Sequence, residues 1–228
     1  MAYSINILES NRTIESMVIN EIIDHLNKKA PKAIPRIQQQ LSILIQRELK
    51  KTLVYKEALT GTLKAELGFV QGREKTIMDG IIDIIASEVQ VGFTPFVNNK
   101  GIAISGGYTI YMIDSSFQNA LSSSLAVTIN KDEELPWLEW LLKEGDKIII
   151  AGYKILFKNT KYGRSKEALM VKGGIRPFWR IPPQFAGVEN SNWITKAFKG
   201  SNISDDFVLG DIQIEMENIV YSNLNKVL

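Results

Sequence analysis

Over the first ninety positions the apolar residues recur every three to four places; beyond that they come in short runs broken by glycine, asparagine and serine. The first spacing is that of helices with one buried face, the second that of short paired strands. Ile14, Val18, Ile22 and Leu26 follow one another at i+4, with Met17, Ile19 and Ile23 widening the stripe. Ser10-Asn11-Arg12-Thr13 offers a cap at the start of that helix. Pro31 and Pro35 separate it from a second helix, and Pro35 suits a first turn, where its missing N–H costs little. Ile37, Leu41, Leu44, Ile45, Leu49 and Leu53 share one face of this second helix, with Arg36, Arg47, Lys50 and Lys51 off it. A short helix from Thr60 or Thr62 to Leu67 stops at Gly68. A third long helix carries Ile77, Met78, Ile81, Ile82, Ile85 and Val89, weakened by about 1 kcal/mol by Gly80.

From Gln90 to Lys131 the runs VQVGF, GIAIS, YTIYMI and LAVTI predict antiparallel strands joined by turns, one of them at Ser105-Gly106-Gly107. Glu133 to Leu142 returns to helical spacing, with Pro136 in the first turn. KIII and YKILF predict a hairpin turning at Ala151-Gly152, and EALMV a further strand. The passage Arg176 to Pro183 predicts irregular backbone. A short helix begins at Asn190, Ser191 or Asn192. Asp206 to Leu224 predicts a terminal helix with Leu209, Ile212, Met216, Ile219 and Val220 on one face. The fold class is therefore α+β: an N-terminal helical segment of about three helices, an antiparallel β-rich domain with short helices, and a C-terminal amphipathic helix. The corresponding blocks are 1–89, 90–204 and 205–228, the last packing on the rest.

Composition narrows the chemistry. The 228 residues are 45 % hydrophobic and 23 % charged, with no cysteine, so neither a disulfide nor a thiolate metal site can form. The polar start, MAYSINILESN, predicts no secretory leader, and no apolar window is long enough to predict a membrane span. The net charge of +2 hides an uneven distribution. Eight basic residues between Lys28 and Lys56 face one acid, Glu48. Eight more between Lys154 and Arg180 face Glu167. Asp205, Asp206, Asp211, Glu215 and Glu217 then follow without a cation among them. Such segments are either solvated faces or complementary surfaces between subunits, or a basic face near nucleic acid.

Catalytic constellations are missing. The single histidine, His25, lies mid-helix, without the partners that a zinc site or a Ser–His–Asp triad needs. Asp132, Glu133 and Glu134 fall where a helix start favours acids for dipole reasons. Gly173-Gly174 beside Lys172 and Arg176 reads as a turn before it reads as a phosphate cradle. The loop from Lys158 to Arg164, with Tyr162, can touch a phosphate backbone or serve solubility alone. Tyr108, Tyr111 and Tyr153 are the candidate stacking aromatics. No catalytic residue, cofactor or metal is expected.

All four tryptophans lie between Trp137 and Trp193, in LPWLEWLLKEGDKIII, YKILF, GRSKEALMVKGG and FWRIPPQFAGVENSNWITKAF. Large aromatic anchors without reactive groups point to packing and assembly. With VYKEALTGTLKAELGF (Val54 to Phe69), these phrases resemble tailed-bacteriophage neck proteins of the head-to-tail connector and tail-completion class. The shared cadence is L-P-W-L-x-W-L at Leu135 to Leu141 and W-x-[VI]-P-P-x-F-A-G at Trp179 to Gly187. It continues with N-[FW]-[IV]-T-[RK]-A at Asn192 to Ala197. Gly163 to Met170 departs from the S-R-[ST]-G-x-x-I-M form, which implies a differently shaped loop. The resemblance covers roughly half the chain.

The resemblance implies a non-enzymatic virion protein, assembled in the bacterial host cytoplasm into a homo-oligomeric ring of six or twelve subunits. Its neighbours would be the portal or adaptor protein on the head side and the tail terminator or tail tube on the other. Double-stranded DNA would pass through the channel without sequence-specific binding. A tail terminator capping the tube is the alternative, and a nucleic-acid-binding module using segments 28–56 and 154–180 is the alternative of another class. Subunit contacts are expected at Trp179, Arg180, Phe185 and Trp193, since the Arg180 to Gly187 loop cannot pair in a sheet interior and is expected at the surface. Asp211, Glu215 and Glu217 on the terminal helix are expected to meet a basic face of a neighbour at Lys50, Lys51, Lys158, Lys161 and Arg164.

Overall fold

The computed structural model describes residues 10–99, 103–112, 117–130, 133–174, 177–188, 191–199 and 210–228. Along the chain the elements are α1 (Asn11–Lys29), a 3-10 turn (Ala30–Ala33), α2 (Ile34–Lys51), α3 (Leu53–Thr60), α4 (Leu63–Glu66), α5 (Glu74–Ser87), β1 (Val89–Asn99) and β2 (Ala103–Met112). There follow α6 (Gln118–Leu121), β3 (Thr128–Asn130), β4 (Glu133–Leu135), α7 (Trp137–Leu142), β5 (Ile150–Ala151), β6 (Tyr153–Phe157), β7 (Ala168–Lys172), β8 (Phe178–Trp179), α8 (Trp193–Lys199) and α9 (Gly210–Leu224). The fold is α+β, helices first and antiparallel β-hairpins after, as the spacing predicts. The compact units are not linear blocks. One comprises Met1–Leu41, Val89–Met112 and Met216–Leu228, the other Ser42–Glu88 and Ile113–Glu215.

In the first unit α1 begins where the Ser10 hydroxyl accepts the Thr13 N–H at 3.2 Å. Pro31 falls in the 3-10 turn that ends α1, and Pro35 in the first turn of α2. The β1–β2 hairpin packs on α1. It is one long pair of strands rather than the three short runs the sequence predicts. Its register runs from Val89↔Met112 to Thr94↔Gly107, then shifts to Val97↔Ser105. Pro95 and Phe96 bulge out of the ladder, and the Asn27 side chain replaces the missing strand. Its Oδ1 accepts the Phe96 N–H at 2.7 Å and its Nδ2 donates to the Phe96 carbonyl at 2.9 Å. Gly106 does not turn the chain. It lies opposite the bulge at φ 124°, and a Cβ there would stand 2.5 Å from the Pro95 oxygen. That close approach is what requires glycine.

In the second unit α4 ends as expected. Gly68, at φ 72°, donates to the Ala65 carbonyl at 3.2 Å and Phe69 to that of Lys64 at 2.9 Å, a Schellman closure. Phe69 is thereby delivered into the core edge-on to Trp137, with ring centroids 4.9 Å apart. Leu63, Leu67, Met78, Ile81, Ile82, Ile85, Leu138 and Leu141 are fully buried. Trp137 satisfies its indole N–H on the Leu125 carbonyl at 2.8 Å.

Two predicted elements change here. The helix expected from Glu133 starts only at Trp137. The residue before a proline avoids helical backbone, so Glu133–Leu135 extends and pairs with Thr128–Asn130. The expected KIII–YKILF hairpin does not form either. One residue, Gly152, lies between β5 and β6, too few to reverse the chain onto itself. Each strand finds another partner: β5 pairs with β8 and β6 with β7, both antiparallel. The passage Arg176 to Pro183 is thus strand at Phe178–Trp179.

Candidate functional surfaces

The tryptophan-rich passage is core. Trp179, Ile181, Phe185, Trp193 and Ile194 are all buried. This corrects the expectation of a surface loop presenting Phe185. β8 sets Trp179 opposite Ile150, and the Trp140 ring meets it at 5.2 Å. The turn after Pro182, closed by the Phe185 N–H on the Pro182 carbonyl at 2.8 Å, turns the phenyl ring inward. A Pro-Pro sequence forbids ladder pairing but not burial. Of the four expected subunit contacts, Trp179, Arg180, Phe185 and Trp193, Arg180 alone stays part-exposed, 3.4 Å from Asp146 and 5.8 Å from the centroid of the Phe178 ring. Asn192 caps α8, its Oδ1 accepting the Ile194 and Thr195 N–H groups at 3.0 and 3.1 Å.

The oppositely charged segments meet inside one chain. Arg47 bonds Glu215 of α9 at 2.5 Å and Glu48 at 2.7 Å, and Lys51 bonds Glu48 at 2.8 Å. Lys50 and Lys75 converge on Asp79, which also accepts the Tyr55 hydroxyl at 2.8 Å. Burial works against the Asp79 carboxylate, but the bonds from Lys75, Tyr55 and Lys50 outweigh it and bring its pKa down to about 2. Burial, then Asp79 itself, pushes the Tyr55 phenol up to about 12. The Arg47 bond lowers Glu215, and Glu215 in turn raises Arg47. Lys50 and Lys51 are therefore each held by an acid of their own chain, Lys50 sharing Asp79 with Lys75, and exposed pairs of this kind contribute little to stability. Glu217 is exposed, and the Asp211 side chain lies outside the described residues.

The second basic segment divides. Lys158 and Lys161 are exposed, as predicted. Arg164 is part-buried: its Nη1 is buried without a hydrogen-bond partner, and burial lowers its pKa. The Gly173 N–H donates to the Gly152 carbonyl at 3.0 Å, closing the β6–β7 pair rather than offering an anion cradle. Glu134 stands exposed on β4 instead of at a helix start, and Asp132 lies outside the described residues. His25 is exposed on α1. No group of three metal-ligating side chains occurs among the described residues, and no helix there is long and apolar enough to cross a membrane.

Three features escape the sequence. Burial, with Glu57 nearby, raises the pKa of Glu66 to about 7, and its Oε2 is buried without a partner. A shallow groove of about 520 Å³ opens between Gln71 and the loop after β6. The third is α1. Ile23 is its one buried residue, while Met17, Val18 and Ile22 are 63 %, 53 % and 51 % exposed. The i+4 spacing by itself does not mark this stripe as exposed, although α1 gathers its apolar residues on one face far less sharply than α2 does.

No known protein family, curated protein or solved structure matches this chain.

Proposed function

We propose that the protein is a structural subunit of a bacteriophage neck, closing into a homo-oligomeric ring of six or twelve copies that joins the portal to the tail around the DNA channel. The observation that carries this reading is the uncovered apolar face of α1. Met17, Val18 and Ile22 form a stripe one helix face wide, exposed in the single chain. Contiguous apolar surface of this kind marks a contact. A ring contact is heterologous, so one such face needs no copy of itself opposite, only a different surface of the next subunit. The phrases around Trp137, Trp179 and Trp193 that resemble neck proteins support the same reading. Their aromatic residues act as the rigid interior that holds a subunit's shape, not as the contact.

Light scattering and negative-stain imaging of the purified chain, alone and mixed with portal-bearing heads, test this. Closed rings or decorated portal vertices are expected. A monomer that neither closes nor binds heads overturns the proposal.

A further inference from the structure

We propose that the β6–β7 hairpin and its loop bind single-stranded nucleic acid, phosphates in the adjoining groove and bases against exposed aromatic rings. Such binding is a property of the single chain and does not require ring assembly.

The charge is unusual in being uncompensated. Lys154, Lys158, Lys161, Lys166 and Lys172 are exposed, and none has an ion pair among the described residues. The hairpin's acid, Glu167, is held at 2.8 Å by Lys64, which is largely buried beneath it. The groove is lined by Gln71, Asn159, Thr160, Lys161, Lys166 and Glu167. With Glu167 neutralised by Lys64, two free ammonium groups remain, beside amide and hydroxyl groups able to donate to phosphate oxygens. That mix of cations with discrete donors suits a phosphodiester backbone better than a lipid surface, which rewards apolar residues at the tip.

The aromatic component decides between single and double strands. Tyr162, in the loop between the two groove lysines, is 88 % exposed, and Phe157, at the end of β6, is half exposed. Tyr153, two pleats before Phe157, lies on the same face of the strand. A duplex offers phosphates and hides the faces of its bases; a single strand offers both. The loop is also formed in advance. Thr160 donates to the Lys166 carbonyl at 3.0 Å, Lys158 to that of Glu167 at 2.8 Å, and Gln71 to that of Arg164 at 3.3 Å. Little ordering remains to oppose binding.

The test is fluorescence anisotropy of the full chain with labelled oligothymidylate of about 15 nucleotides, a duplex of equal length, and phosphatidylserine vesicles. The single strand is expected to bind best. For about three phosphate contacts, log K falls with log salt at a slope of about −2. Lys158→Ala with Lys161→Ala flattens the slope. Tyr162→Ala weakens binding roughly fivefold or more with the slope unchanged. At its exposed position that truncation leaves the melting temperature in place, so a loss of binding is not a loss of fold. Absence of binding at low salt, preference for the duplex or the vesicles, or indifference to Tyr162→Ala overturns the proposal.

Discussion

Helices α1 and α2 both repeat apolar residues at i+4, α2 with the sharper segregation of faces, and they meet opposite ends. On α2, Ile37, Leu41, Ile45 and Leu49 lose essentially all contact with water. On α1 the equivalent residues Val18 and Ile22 keep more than half of theirs, and only Ile23 is buried. A large buried aliphatic side chain contributes about 1.5–3 kcal/mol by leaving water. The α1 stripe therefore holds hydrophobic free energy that the single chain does not use. What secures α1 on the hairpin is polar: the Asn27 amide on the Phe96 backbone, and the Tyr108 hydroxyl on the Ala30 carbonyl at 2.6 Å. Periodicity specifies a helix and its apolar face. It does not specify whether the same chain supplies the cover.

That contrast can be broken most sharply on its covered side. Ile45→Ala should cost about 2–5 kcal/mol, and Phe185→Ala, in the tryptophan-rich core, about 3–5 kcal/mol, both read by urea denaturation. A loss below about 1 kcal/mol at either position would place it at the surface after all. Next comes the polar fastening. Asn27→Ala leaves both Phe96 backbone groups without partners and should cost about 1–3 kcal/mol, seen as faster amide exchange in α1 and around Phe96.

Burial also has a charged counterexample in Glu66. Its folded pKa of about 7 lies above the ordinary carboxyl value, so the folded state holds the proton more tightly. Stability then falls as pH rises from about 5 to 8. Glu66→Gln should remove that slope and add on the order of 1–2 kcal/mol at the alkaline end, discounted for the part of the carboxyl that water reaches. An unchanged slope would show that water already reaches Glu66 freely. The smallest effect is expected on α1: Val18→Ala and Ile22→Ala should each change the stability of the single chain by less than about 0.5 kcal/mol.

Much of the fold was legible in local chemistry. Ser10 caps α1, Gly68 closes α4, Asn192 caps α8, and the stripe from Ile37 to Leu49 is core. These are decided within a turn or two of chain. What was not legible depends on distant partners. Gly106 reads as a turn, yet it makes room for Pro95 across the ladder. KIII and YKILF read as mates, but Gly152 sends them to β8 and β7. Phe185 reads as exposed because Pro182 and Pro183 preclude pairing, yet its ring is buried. The basic segments were visible as composition. Which cations stay free was not, because Arg47 finds Glu215 168 residues away and Lys50 finds Asp79 on another helix.

If α1 docks on a neighbouring copy, as proposed, the assembled mass of Val18→Glu with Ile22→Glu reports it. Light scattering, with portal-bearing heads added, should find rings or head-bound protein for the unaltered chain and a folded, unattached monomer for the double variant. A double variant that assembles as well as the unaltered chain would rule out α1 as the contact.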